Sequence, residues 1–80
     1  MQELELLNRI TIHPDVMVGK PTIRQTRLTV EHILKALSAG LTFDQLQADY
    51  PFLEPDDVKA CLLYASKILA SEKVYLVNAA

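Results

Sequence analysis

The chain has 80 residues, half of them apolar, with no Trp, a single Cys and a formal net charge of −2. That length is expected to form one domain, 1–80, with a thin core, and a small apolar chain of this kind is expected to form a homodimer or higher oligomer. The lone Cys61 excludes an intrachain disulfide, no apolar run nears the roughly 18–20 residues that span a bilayer, and Met1-Gln2-Glu3-Leu4-Glu5 is acidic where a signal peptide is basic, so a cytoplasmic protein with no membrane part is expected.

Residues 9–29 read as a strand and hairpin segment. Arg9-Ile10-Thr11-Ile12 alternates polar and apolar and is β-prone, His13-Pro14-Asp15 breaks it, and Gly19-Lys20-Pro21 punctuates again. Thr22-Ile23-Arg24 and Arg27-Leu28-Thr29 then flank Gln25-Thr26 as a tight hairpin. That register sets Ile23 opposite Leu28, and Arg24 opposite Arg27 on the other face.

Residues 30–70 read as three helices of about ten, seven and sixteen residues, counted from their capping signals. Thr29 caps the first, whose stripe is Val30, Ile33, Leu34 and Leu37, and Gly40 suits the left-handed residue that ends it. Thr42-Phe43-Asp44-Gln45 fits a capping box at the start of the second. Pro51 disfavours helical geometry at Tyr50 and stops it. Pro55 suits the first turn of the third, and Asp56 and Asp57 lie favourably against its dipole as part of a solvated acidic face. Val58, Cys61, Leu62, Ala65, Ile68 and Leu69 are its expected buried stripe. The fold class is therefore mainly α: a short β segment ahead of a three-helix, helix-turn-helix (homeodomain-like) bundle. In the tail, 71–80, Val74-Tyr75-Leu76-Val77 is β-prone; adding a strand at a dimer frame and packing on the core are both open.

No catalytic or metal-binding constellation emerges, and no cofactor is called for. Gly19-Lys20 lacks the glycine run and the following Ser/Thr of a phosphate loop, and Pro21 has no N–H to offer a phosphate. His13 and His32 have no acids at metal spacing, and a closed zinc site needs four good ligands. Cys61 falls on an apolar stripe, where a buried and inert thiol is expected. Ser38, Ser66 and Ser71 have no His partner in sequence view.

Charge is uneven along the chain. Residues 1–40 hold five Lys/Arg and four acids, giving +1, and residues 41–80 hold three and six, giving −3. Arg9, Lys20, Arg24 and Arg27 concentrate the positive charge and are the candidate partner- or anion-binding residues; Gly19, Pro21, Thr26, Gly40 and Pro51 are candidate structural positions. Two like charges facing each other, as Arg24 and Arg27 would in this register, need an anion between them. It is either internal (Asp15, Glu31 or the other subunit) or a partner's carboxylate or phosphate, which arginine grips through paired hydrogen bonds. On the partner reading, replacing both arginines by alanine weakens binding and leaves the melting temperature nearly unchanged. DNA reading by the third helix is disfavoured, because Pro55-Asp56-Asp57 puts carboxylates where phosphates would lie.

Taken together, Arg9 to Asp15, Gly19-Lys20-Pro21-Thr22-Ile23-Arg24-Gln25-Thr26-Arg27-Leu28, Ala39-Gly40-Leu41, Asp49-Tyr50-Pro51-Phe52-Leu53 and Asp57 to Ala65 resemble the domain-of-unknown-function 433 family over roughly residues 9–70. The resemblance implies a helix-turn-helix-like antitoxin of a bacterial toxin–antitoxin pair, whose partner is a small toxin similar to the PIN-domain ribonucleases. The expected function is thus a non-catalytic, toxin-neutralising binding protein, with a DNA-binding regulator of its own promoter as the alternative. Matching motif positions are Gly19, Lys20, Pro21, Arg24, Thr26 and Arg27. Two departures stand out: Val18 replaces a small residue, and Gln25 replaces the Gly expected of a type II′ turn, at a cost on the order of 1 kcal/mol if its φ stays positive.

Overall fold

The computed structural model describes residues 2–71, with elements in the order α1 (Gln2–Leu7), β1 (Ile10–Thr11), β2 (Thr22–Ile23), α2 (Val30–Ser38), α3 (Phe43–Asp49) and α4 (Pro55–Ser71). Helices α2, α3 and α4 are the three expected from capping and period. The tail segment Val74-Tyr75-Leu76-Val77 lies outside the described residues.

The caps take the form their chemistry dictates. Thr29 accepts from the His32 N–H, and Thr42 and Gln45 form the reciprocal capping box. At the end of α2, Gly40 has φ +94°; its N–H donates to the Leu37 carbonyl and the Leu41 N–H to that of Ala36, a full Schellman pair. Tyr50, before Pro51, is extended at φ −128°, ψ 82°, which ends α3.

The core consists of Ile23, Leu28, Val30, Ile33, Leu46, Leu53 and Cys61, so the β segment supplies a floor on which the helices sit. Thr11 and Thr22 are cross-strand partners whose hydroxyls lie 3.2 Å apart, and Thr22 is buried with its polar group satisfied.

Four sequence expectations change. First, α1 was not foreseen: Gln2-Glu3-Leu4-Glu5-Leu6-Leu7 is a run of strong helix formers that docks on α4, with Glu3 3.0 Å from Lys67. Second, the turn after β2 is centred on Arg24-Gln25 instead of Gln25-Thr26. The Thr26 N–H donates to the Ile23 carbonyl, and Arg24 and Gln25 have φ of 45° and 63°. Two positive values make a type I′ geometry in place of II′. Ile23 still meets Leu28, to whose carbonyl its N–H donates, but Arg24 does not face Arg27. Third, the main partner of β2 is β1, antiparallel, with Ile10 opposite Ile23, while the return strand is reduced to a single Thr22–Thr29 bridge. Fourth, the buried stripe of α4 is Asp57, Ala60 and Cys61, with Tyr64 packed beside the core. Leu62, Ile68 and Leu69 are exposed, at 53, 39 and 59%. Helix α1 packs on α4 and α2 borders it across a groove, which leaves these three side chains partly open to solvent.

The Gly19-Lys20-Pro21 segment is a structural turn: the Gly19 N–H donates to the Val16 carbonyl and the Lys20 N–H to that of Met17. Met17, Val18 and Gly19 all have positive φ, and Val18, at φ 57°, is 93% exposed. A β-branched residue there is strained, and the surface gives it no compensating packing.

Candidate functional site

The conspicuous polar feature of the molecule is a carboxylate with no access to solvent. Pro55 opens α4 with Glu54 ahead of it, which makes Asp57 the third residue of the helix. From there its side chain reaches back to accept the Glu54 N–H at 2.9 Å, the acid half of a capping box. The β1–β2 ladder lies against this helix end. The Arg24 N–H donates to the Arg9 carbonyl at 2.8 Å, so the two arginines are cross-strand neighbours. The type I′ turn at Arg24 carries its guanidinium over α4.

Both arginines converge on Asp57. Arg24 binds it through two bonds, Nε to Oδ1 at 3.1 Å and Nη2 to Oδ2 at 2.8 Å, and Nη2 also donates to the Phe52 carbonyl at 2.8 Å. Arg9 donates from Nη1 to Oδ1 at 3.0 Å and to Glu54 Oε1 at 2.6 Å. Asp57 is 0% exposed, whereas the arginine side chains keep 27 and 36% of their surface. Burial on its own would raise the Asp57 carboxyl. The hydrogen bonds from Arg24, from the Glu54 backbone and from Arg9 outweigh it and hold the group below the usual carboxylate range.

The sequence-predicted residues thus divide. Arg9 and Arg24 come together, and the anion between them is internal. It is Asp57, in place of the expected Asp15, Glu31 or second subunit, and Asp57 is buried instead of lying on a solvated acidic face. Lys20 stands apart, 3.0 Å from Glu31 on the surface. Arg27 is exposed and makes no side-chain hydrogen bond or ion pair among the described residues. Thr26 is structural, its hydroxyl accepting the Leu28 N–H at 3.2 Å. Asp57 is the residue that sequence reasoning underrated. The available signal was its place two residues after Pro55, where a carboxylate bonds its own helix start and turns away from water.

The other reactive-type side chains are occupied. Burial, followed by the nearby Asp57 charge, pushes the Cys61 thiol up to about 12. Ser38, Ser66 and Ser71 each donate to the carbonyl three residues earlier in their own helix. His32 sits edge-on to Tyr50, whose hydroxyl is 3.3 Å from its Nε2. A polar cleft of about 300 Å³ between α1 and the start of α4 is lined by two acids, Glu5 and Asp56, and two bases, Arg9 and Lys59.

A different surface is open. Pro21, Val30, Leu34, Tyr64, Ala65 and Leu69 line an apolar groove of about 400 Å³ along α4, with Leu62 exposed on the same helix. No helix among the described residues is long and apolar enough to cross a membrane.

Residues 10–65, from β1 through the buried half of α4, match the family described as Protein of unknown function (DUF433). The chain belongs to that family. The match takes in Arg24 and Asp57 and leaves out Arg9. A crystal structure of a DUF433 member from Anabaena variabilis superposes with a TM-score of 0.73 at 31% identity, covering 84% of this chain and 66% of that one. The uncharacterized protein y4eO of Sinorhizobium fredii is 27% identical over 56 residues, which is 70% of this chain. The DUF433 chain spans only 25% of that relative's length.

Proposed function

We propose that this DUF433 protein is a non-catalytic binding protein, the antitoxin of a bacterial toxin–antitoxin pair, and that its partner is a small toxin similar to the PIN-domain ribonucleases. One observation carries the binding part: the apolar face of α4, where Leu62 and Leu69 are more than half exposed beside the Leu34–Ala65 groove. Contiguous exposed apolar surface on a small protein marks an interaction site. The non-catalytic part is supported by Asp57 and Cys61, the buried carboxylate and the buried thiol, both being closed to solvent. The antitoxin assignment and the nature of the toxin come from the family resemblance.

The binding surface therefore moves from the arginines to α4. Lys20 and Arg27 remain as rim charges; Arg9 and Arg24 serve the fold. The DNA-binding alternative is weakened by Glu54 and Asp56, which stand exposed at the start of α4, where a recognition helix would approach phosphates. Self-association through the same stripe competes with toxin binding for one surface.

Co-expression with the product of the adjacent reading frame tests the assignment. The wild-type chain is expected to rescue growth and co-purify with the toxin. Leu62→Asp/Leu69→Asp is expected to lose both while melting within a few degrees of wild type, since exposed sites contribute little stability. An unchanged complex from that variant would remove α4 as the interface. A salt-dependent shift of the promoter fragment by the chain alone would favour the regulator.

A further inference from the structure

We propose that Tyr50 and Phe52, on the loop between α3 and α4, form a docking surface for an arginine-bearing basic segment of a partner protein. This inference stands apart from the antitoxin reading and from the apolar face of α4.

The loop holds two rings outward on a fixed backbone. The Leu53 N–H closes its turn by donating to the Tyr50 carbonyl at 2.9 Å. Gln47 Nε2 donates to the Leu53 carbonyl at 2.9 Å, and Arg24 Nη2 to that of Phe52 at 2.8 Å. Leu53 fills the core, while the larger Phe52 stays 41% exposed. Tyr50 lies edge-on to Phe52, with centroids 6.1 Å apart and planes at 66°, and its hydroxyl is 3.3 Å from His32 Nε2. Rings fixed in this way can be contacted with little loss of side-chain freedom, which makes rigid aromatics effective anchors. The loop sits ahead of Pro55, with about 24 Å of helix between Pro55 and Ser71 at 1.5 Å per residue.

Charge complementarity names the partner. Residues 36–58 hold five acids, Asp44, Asp49, Glu54, Asp56 and Asp57, and no Lys, Arg or His. Arg9 and Arg24 reach in from the β ladder and Lys59 approaches Asp56 at 3.9 Å, so five acids against three bases leave −2. Asp49 and Glu54, the acids that flank the two rings along the chain, are both exposed. Ring faces attract cations, and a guanidinium can also fork onto a carboxylate. Arginine suits both at once, because its plane stacks on a ring while its edge donates hydrogen bonds; a lysine ammonium is a point charge. The same acids turn a polyanion away.

Nuclear magnetic resonance titration of the full 80-residue chain with a hexa-arginine peptide tests this. Amide shifts are expected to centre on Tyr50, Phe52 and Glu54, with hexa-lysine binding at least about threefold more weakly. Phe52→Ala, which leaves the charge untouched, is expected to weaken hexa-arginine binding about threefold, and Phe52→Ala/Asp49→Asn about tenfold. Wild-type affinity in Phe52→Ala would overturn the proposal, since charge alone would then explain the binding. So would absent shifts, shifts centred elsewhere, equal affinity for the two peptides, or a hexa-glutamate peptide or single-stranded oligonucleotide binding at the same residues. Nuclear Overhauser contacts to the Phe52 ring from a second copy or from residues 72–80 in the free chain would overturn it as well. Should Phe52→Ala not fold, Phe52→Leu keeps the bulk and removes the ring, and the same loss is required of it.

Discussion

Arg24→Ala removes three hydrogen bonds at once, two to Asp57 and one to the Phe52 carbonyl. Breaking a buried ion pair by deleting one partner costs about 3–5 kcal/mol, because the remaining charge is left uncompensated. Two features reduce that figure here. Arg24 itself keeps 36% of its side-chain surface, and Arg9 and the Glu54 N–H still bond Asp57, so the expected loss is about 3 kcal/mol. In a domain of this size each kcal/mol moves Tm by about 4–8 °C, which gives a fall of roughly 12–24 °C at pH 7. Thermal unfolding followed by circular dichroism reads this directly. Arg24→Lys should fall between, keeping a charge but losing the two-pronged grip. Combined with Asp57→Asn, Arg24→Ala should cost less than the two single changes added together, with a coupling above about 1 kcal/mol. A Tm drop below about 4 °C for Arg24→Ala would refute the reasoning and restore Arg24 as a residue free to meet a partner. The double alanine change at Arg24 and Arg27, expected from sequence to be thermally silent, is on this structure strongly destabilising, nearly all of it through Arg24.

Three further outcomes follow from the same geometry. The Asp57 carboxyl titrates lower in the folded chain than in the unfolded one, so its contribution is complete above the unfolded value of about 4 and is lost as pH falls through the folded value; urea midpoints measured from pH 6 to 2 should decline across that window, and Asp57→Asn should flatten the decline. Cys61, buried and pushed up to about 12, should resist a thiol reagent at pH 8 and react only in denaturant; fast native labelling would contradict the packing of α4. Val18→Gly and Gln25→Gly should each raise stability by up to about 1 kcal/mol, because each relieves a positive φ that side chains resist, and a loss at either site in chemical denaturation would mean that the turn conformations differ.

Physical reasons separate what could be read early from what could not. The three helix starts were legible because capping is local chemistry: Thr29, Thr42 and Pro55 act on N–H groups within one turn. Helix α1 was missed because Gln2 to Leu7 carries propensity but no cap or stripe, and its docking on α4 supplies what an isolated six-residue helix lacks. The turn at Arg24-Gln25 was misplaced because neither residue favours positive φ. The conformation is held from elsewhere, by Thr11, whose hydroxyl accepts the Gln25 N–H at 2.9 Å from across the ladder.

Sequence alone determined the helical class, the caps, the chain breaks at Gly40 and Pro51, and membership of a recognisable family, since all of these depend on neighbours a few residues apart. It also implied that clustered arginines need an anion between them. Only the tertiary structure decided which anion and which arginines. Asp57 lies 33 residues from Arg24 and 48 from Arg9, and its local capping position at the start of α4 says nothing of which distant arginines meet it. The assignment of faces on α4 was likewise tertiary: an apolar stripe says that a helix has something to bury, and which of its sides the neighbouring elements cover sets which residues stay exposed.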